Sequence, residues 1–342
     1  MHLLVTGGAG FIGSAFIRLV AAEQPNWRIT NFDALTYAGN LDNLQGLDDR
    51  FHRFIRGDIA DRDAVRAALT LAPDGGTDAI INFAAESHVD RSIENPDAFL
   101  RTNVLGTQVL LDAARAAGVR RFLQVSTDEV LGSLAEDDNA SFVEDSPYAP
   151  NNPYAASKAA AEHLVRVARH TFGLDAVITR SGNNFGPRQF PEKLIPLLIA
   201  NALADQPIPL YGDGRQVRDW IYVDDHCRAL LAVLTQGKAR PLYHIGARNQ
   251  RCNLDIAQSI LCLLAKSTSL IRFVKDRPGH DRRYAIDPAK IEIELGWSPR
   301  ETWESGLLKT VQWYQENVVW LARARSGAYR DFYIRQYGSD PR

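Results

Sequence analysis

Tyr154 and Lys158 stand four residues apart in the segment Asn152-Pro153-Tyr154-Ala155-Ala156-Ser157-Lys158. A proline near the first helical position and an asparagine available as a cap predict a helix that starts here. On such a helix the two side chains share a face. An ammonium beside a phenol favours the phenolate and lowers its pKa from about 10. The pair is then suited to taking the proton of an alcohol while hydride leaves the same carbon. Of eleven tyrosines this is the only one with lysine four residues later, although spacing alone also admits a chance pair on a solvated helix.

A departing hydride needs an acceptor, and the N-terminal segment is built to hold one. Thr6-Gly7-Gly8-Ala9-Gly10-Phe11-Ile12-Gly13 places Gly7, Gly10 and Gly13 in a G-x-x-G-x-x-G spacing. The early glycines permit a tight turn and close approach of a pyrophosphate to backbone N–H groups, and the last lets helix pack on strand. Phe11 and Ile12 open that helix, whose N-terminus favours an anion. Asp33, twenty residues beyond Gly13, is placed to accept from ribose hydroxyls and to repel a 2′-phosphate, so the expected cofactor is NAD rather than NADP. Asp58 and Ile59, after the third strand, can contact the adenine edge; Asp58 reads equally as a helix cap.

The elements that must position these groups alternate. Short β-branched runs predict strands at His2–Thr6, Arg28–Phe32, His52–Arg56, Asp78–Phe83, Arg121–Ser126 and Ala176–Arg180. Helical periods fall between them at about 11–23, 61–71, 95–117 and 153–171. Repeated β-α units predict an α/β fold with a Rossmann-type doubly wound parallel sheet. After Gly186 five prolines arrive within 23 residues and the rhythm turns irregular. A helix near 223–235 and a strand at 242–245 read as a return to the sheet. The expected division is a cofactor domain of 1–187 with 223–247 returning, and a smaller C-terminal α/β substrate lobe of 188–222 and 248–342. Helices near 253–265, 287–295 and 303–324 belong to that lobe.

The glycine loop with Tyr-x-x-x-Lys resembles the extended short-chain dehydrogenase/reductase superfamily, whose members modify nucleotide sugars. That resemblance puts Ser126 beside the cofactor and Thr127 near the reacting hydroxyl. Asp128 and Glu129 follow, and alone they read as a solvated turn. Beside a hydride-transfer centre they can divide into acid and base, as an elimination requires. Val125-Ser126-Thr127-Asp128-Glu129-Val130 closely resembles the dTDP-glucose 4,6-dehydratases, which implies Asp128 as acid and Glu129 as base; spacing cannot choose between them. A ketone at C4 makes the C5 proton acidic, the C6 hydroxyl leaves, and hydride returns to C6.

Further segments carry the same resemblance. Ala84-Ala85-Glu86-Ser87-His88-Val89-Asp90-Arg91-Ser92 matches the stretch between cofactor and sugar, implying Ala84 for the first and Ser87 for the second. Asn184, Lys193 and Leu194 fall in the nucleotide-sugar clamp. Pro209, Tyr211, Arg218, Asn253, Arg277 and His280 fall among base and diphosphate contacts. Lys193, Arg218 and Arg277 are the cations a diphosphate requires, and Tyr211 can stack on a pyrimidine. Each alone reads equally as a surface cation or core aromatic. The resemblance runs from Leu3 to about Tyr329 and departs at Leu131, where tyrosine is usual, and at Ala34, where a polar or basic residue is usual. Leu131 stands where it can reshape the sugar pocket, and Ala34 where it can loosen adenosine binding.

The implied substrate is dTDP-glucose, with a UDP- or CDP-hexose, a 4-epimerase reaction, or a silent dinucleotide-binding regulator as rivals. The family implies a homodimer through the helices near 95–117 and 153–171, whose apolar faces are equally consistent with packing on their own sheet. In 342 residues, 39 Lys+Arg against 41 Asp+Glu argue against a nucleic-acid partner. No apolar stretch reaches the roughly 20 residues that span a bilayer, and MHLLVTGGAG does not read as a signal peptide. Cys227, Cys252 and Cys262 fit neither a disulfide framework nor a zinc site, so a cytoplasmic enzyme without metal is expected. Only seven of the 39 cations are lysines, and the first of them is Lys158.

Overall fold

A computed structural model describes residues 1–72, 76–136, 140–237, 242–326 and 333–336. The strands are β1 His2–Thr6, β2 Arg28–Asp33, β3 His52–Arg56, β4 Ala79–Asn82, β5 Arg121–Thr127, β6 Ala176–Ser181, β7 Asn183–Phe185, β8 Ile208–Tyr211, β9 Val217–Tyr222, β10 Leu242–Ile245, β11 Gln250–Cys252 and β12 Ile271–Val274. Seven of them form one sheet in the order β10-β6-β5-β4-β1-β2-β3, with every pair parallel. Such a sheet buries both faces, so its strands are apolar nearly throughout. Alternation then divides them. Leu3, Val5, Ile81, Leu123 and Val177 pack with helices Phe11–Glu23 and Val223–Gln236, while Leu4, Ile80, Phe122 and Ile178 pack on the other side with Val65, Leu110 and Val165. Each fully buried Leu, Ile or Phe of this kind stabilises the fold by about 1.5–3 kcal/mol.

Strand order reverses between β1 and β4, which opens a crevice at the carboxyl ends of the strands. The glycine loop after β1 and Thr127 at the end of β5 both lie at those ends. The helix expected at 95–117 is compound: Pro96–Phe99, a π-helical stretch Leu100–Gly106, then Thr107–Ala116. Gly106 is there because a Cβ would lie 2.6 Å from the Ile59 side chain. The wider turn belongs to a working position, since Asn103 within it brackets residue 86 by Nδ2 to Glu86 O at 3.0 Å and Glu86 N to Oδ1 at 2.9 Å. Its Nδ2 also reaches Ser157 Oγ at 2.8 Å, beside Lys158.

The proline-rich stretch hides a helix, Leu194–Leu203, that periodicity did not reveal. Pro196 sits in its first turn, where no intrahelical bond needs an N–H. Short strands complete the second lobe: β7 with β9 and β11, and β8 with β12. β7 pairs with β9 although β6 ends only two residues earlier; Gly182 permits the crossing, since a Cβ there would lie 2.6 Å from Asp219 O. A separate core of Phe185, Ile199, Trp220, Ile256, Trp303 and Tyr314 holds this lobe. The helix expected over 303–324 breaks at Asn317, whose Nδ2 donates to Trp313 O at 2.8 Å. The parts of the expected division at 238–241, 327–332 and 337–342, including Tyr329, lie outside the described residues. Among the described residues no helix is long and apolar enough to cross a membrane.

Candidate active site

The glycine loop is as tight as its spacing implies. Gly7 has φ +69, and a Cβ on it would lie 2.6 Å from Ala84 N; on Gly13 it would lie 2.3 Å from Gly7 O. Around Gly10 the same Cβ would meet only Gly7 O, at 3.3 Å, so that side of the loop is open. Helix Phe11–Glu23 has no side-chain cap, which leaves its first amides for an anion. Asp33 is aimed by two amides, Ala9 N to Oδ2 at 2.9 Å and Leu35 N to Oδ1 at 2.8 Å. Burial raises its pKa against the pull of those bonds. These features fit a dinucleotide, and Asp33 lines the cleft where ribose hydroxyls would reach it.

Gly7, Gly10, Phe11, Ile12, Gly13, Asp33, Ala34, Asp58, Ile59, Ala84, Ser87, Ser126, Thr127, Glu129, Tyr154 and Lys158 line one cleft of about 340 Å³. Asp58 lines it while accepting from Ala60 N at 2.8 Å and pairing with Arg101; the helix cap proper is Asp61. Ser126 is on the wall, yet its hydroxyl is committed to Glu162 Oε1 at 2.6 Å.

Asn152 caps helix Pro153–Phe172 through Ala155 N at 2.8 Å, and its Nδ2 donates to Glu129 Oε2 at 3.3 Å. Tyr154 and Lys158 lie on the buried side of this helix. The Lys158 ammonium donates to Val125 O at 2.7 Å, and burial lowers its pKa to about 8 while Glu162, one turn on, pulls it up. The expected lowering of the Tyr154 pKa is not found in the protein. Burial raises it, followed by the charge of Glu129, and Asp128 adds to this; a hydrogen bond from Thr127 opposes. The reason is that the phenol is desolvated beside two carboxyls, while the Lys158 ammonium is engaged with a backbone carbonyl.

Asp128 and Glu129 open a 3₁₀ turn, Asp128–Leu131, that Thr127 caps by accepting from Glu129 N at 3.2 Å. Glu129 faces the cleft, whereas Asp128 lies behind its wall and lines neither cavity. Asp128 Oδ1 is 3.3 Å from Thr127 Oγ1, and Oδ2 has no partner among the described residues. Burial, then the charge of Glu129, pushes the Asp128 carboxyl well above the usual range. Burial also raises Glu129, but Lys193, Arg218 and Arg277 hold it back. Both carboxyls are thus raised, Asp128 further than Glu129, because three cations offset the burial of Glu129.

A second cleft of about 160 Å³ adjoins the first through Glu129, Asn184 and Lys193 and is also lined by Leu194, Pro209, Tyr211, Arg218, Asn253, Arg277 and His280. Its cations are already held in place. Lys193 Nζ donates to Ser87 O at 2.6 Å, Arg218 to Asp281 O at 2.9 Å while stacking on Tyr284, and Arg277 pairs with Asp90 at 3.2 Å. Tyr211 donates to Asp90 Oδ2 at 3.1 Å, and the Arg277 guanidinium lies 5.0 Å from its ring centroid. Burial, then Arg277, lowers His280 to about 4, so it is neutral and bonded to Asp276. Asn184 is oriented by His226 Nδ1 at 2.7 Å.

Leu131 faces neither cleft. It is 2% exposed and packs with Val130, Ala159 and Ile286, so it cannot reshape the sugar pocket directly. Several side chains around the site had no local signal of their own: Asn103, Glu162, Arg180, Tyr37 and Glu192, the last two meeting at Arg91. Glu162 and Arg180 form a buried pair at 2.8 Å behind Lys158, joined by Ser126 and Tyr148. Only a glutamate one turn beyond Lys158, on the same helical face, could have pointed there.

Fold and site together define a dinucleotide-dependent oxidoreductase-type centre to which an acid–base pair has been added. Residues 4–310 match the family model described as GDP-mannose 4,6 dehydratase, and the chain belongs to that family. It is 50% identical to the dTDP-glucose 4,6-dehydratase of Xanthomonas campestris pv. campestris (strain B100), over 96% of this chain and 97% of that one. The Salmonella typhimurium dTDP-glucose 4,6-dehydratase is 48% identical, over 98% and 99%. In three dimensions it resembles the Streptomyces venezuelae dTDP-glucose 4,6-dehydratase, solved with NAD bound, at TM-score 0.90 and 49% identity, covering 95% of this chain and 100% of that one.

Proposed function

We infer that this protein is an NAD-dependent hydro-lyase that converts dTDP-glucose to dTDP-4-keto-6-deoxyglucose. The observation that carries the reading is the placement of two adjacent carboxyls at the cleft that holds Tyr154 and Lys158, Glu129 on its wall and Asp128 buried behind it against Thr127 and raised the further of the two. Gly7, Gly10, Gly13 and Asp33 would hold NAD, which when bound would supply the acceptor for the C4 hydride, the hydride's return to C6, and a positive charge that favours the Tyr154 phenolate. Tyr154 receives the C4 hydroxyl proton, with Thr127 donating to its oxygen. Lys158 lines the same cleft one helical turn from Tyr154, its ammonium held by Val125 O. Glu129 takes the C5 proton; Asp128, behind the cleft wall, supplies the proton of the C6 oxygen through the Thr127 hydroxyl that lines the cleft, as the C–O bond breaks and water leaves. Glu129 then returns its proton to C5. The cycle leaves Tyr154 one proton over and Asp128 one short, and Thr127 is bonded to both.

Residues 1–187 with 223–247 would hold the cofactor, and 188–222 with 248–342 the nucleotide sugar, save that β7 pairs within the second lobe and Ile291, Leu295 and Trp297 of the expected second lobe pack in the core of the cofactor domain. Two contiguous clefts that meet at Glu129, Asn184 and Lys193 support that division. A homodimer through the helical stretches Pro96–Ala116 and Pro153–Phe172 is supported by their exposed Leu100, Leu105, Val167 and Phe172. Sedimentation velocity checks it, and a monomer at working concentration would overturn it. Three unpaired cysteines accord with a cytoplasmic setting, where thiols stay reduced.

Incubation with dTDP-glucose is expected to give a product whose ultraviolet absorbance shifts in alkali. Turnover of a UDP- or CDP-hexose but not of dTDP-glucose would overturn the substrate and leave the mechanism.

A further inference from the structure

The loop after β2 carries one large side chain that the chemistry above does not use. Tyr37 donates its phenolic hydrogen to Glu192, and its ring meets Phe190 edge-on at 5.7 Å. The Arg91 guanidinium lies 4.0 Å from the centroid of the same ring and binds Glu192 Oε2 through Nε at 3.2 Å. Glu192, with its side chain only 1% exposed, is thus gripped from two other chain segments.

Each end of this contact is anchored to a different wall. On one side, Asn40 N and Asn43 Nδ2 both donate to Ala9 O at 3.0 Å, which ties the Tyr37 loop to the glycine loop. On the other, Glu192 precedes Lys193, whose ammonium reaches Ser87 O, and leads into helix Leu194–Leu203 of the second lobe. Thr36, Ala38, Phe190 and Glu192 all line the cofactor cleft. The Tyr37–Glu192 contact therefore bridges two segments that line the same cleft, the loop after β2 and the stretch before helix Leu194–Leu203.

We propose that Tyr37, held by Glu192 and Arg91, is a latch that joins the cofactor loop to the substrate lobe and keeps NAD in the cleft from one turnover to the next. This rests on the NAD-dependent reading. It suits the chemistry, because the hydride taken from C4 is returned to the same sugar and the cofactor never needs to exchange. Tyr37 is a positioning residue and touches no reacting atom.

The test is the rate at which purified holoenzyme releases NAD, followed by rapid filtration and chromatography of the free nucleotide. Tyr37→Phe keeps the ring and deletes the donor. A hydrogen bond to a charged group is strong enough that its loss should speed release about tenfold or more. Glu192→Gln, which keeps volume and removes the charge, should do the same. Tyr243→Phe is the matched control, since that buried phenol also bonds a glutamate, Glu294 at 3.0 Å, but lies on β10 away from both clefts. It should release NAD at the wild-type rate even if its melting temperature falls as far. If Tyr37→Phe and Glu192→Gln both release NAD no faster than Tyr243→Phe, the latch is wrong while the cofactor reading stands. A wild-type protein that carries no nicotinamide would overturn both.

Discussion

Replacing Glu129 by Gln should separate the two halves of the reaction. Glutamine keeps the volume and can still accept from Asn152 Nδ2, 3.3 Å away, so the cap of the Tyr154 helix survives. What is lost is a base and a negative charge. Loss of a positioned base costs about 10²–10⁴ in rate, or about 3–5 kcal/mol of barrier, and this falls on removal of the C5 proton. The charge acts in the opposite sense on Tyr154. After burial, Glu129 is the largest influence raising that phenol. A neighbouring charge shifts a buried group by about 1–3 pKa units, so the phenolate should form at lower pH in the variant. C4 oxidation should therefore persist, with its acid limb moved down, while elimination stalls. In a single turnover with dTDP-glucose, reduced nicotinamide absorbance should rise and stay, and exchange of the C5 hydrogen with deuterated water should vanish. A variant with wild-type turnover would refute the base assignment. One in which oxidation and elimination fall together, with NAD retained, would show that Glu129 positions the sugar instead.

Three further outcomes follow from neighbouring geometry. Burial depresses Lys158 to about 8, so its ammonium is lost as pH rises through that value and activity should fall there; Glu162→Gln removes the opposing pull and should move this limb lower. The same variant leaves Arg180 buried without its partner and should cost about 3–5 kcal/mol in urea unfolding. Gly13→Ala sets a methyl 2.3 Å from Gly7 O, a rigid backbone atom, so it should purify without NAD. Leu131→Tyr should leave the preference among nucleotide sugars unchanged and destabilise by about 1–3 kcal/mol, because it overfills a small core rather than entering the pocket.

The parallel sheet and its switch point were legible because their signals are periodic and local. Strands β1 to β6 fall within two residues of where β-branched runs predicted them. The second lobe was less so: helix Leu194–Leu203 was masked by prolines, and strands of three or four residues such as β7, β8, β11 and β12 pair with segments too distant for any window to register.

Read alone, the amino-acid order determined the chemical inventory: a glycine turn that admits a pyrophosphate, an acid for ribose, a phenol and an ammonium on one face of a helix, and two adjacent carboxyls. Those depend on spacing along the chain, where backbone geometry dictates which groups meet. The protonation of the inventory was decided only by tertiary structure. Asp128 lies behind the wall and Glu129 on it, Tyr154 is raised rather than lowered, and Leu131 turns into the core. Glu162 reaches Lys158 from its own helix, but its partner Arg180 comes from β6, and Glu192 meets Arg91 across 101 positions. Desolvation and charge–charge contacts depend on which segments exclude water from which groups, and that is set by packing between elements remote in sequence.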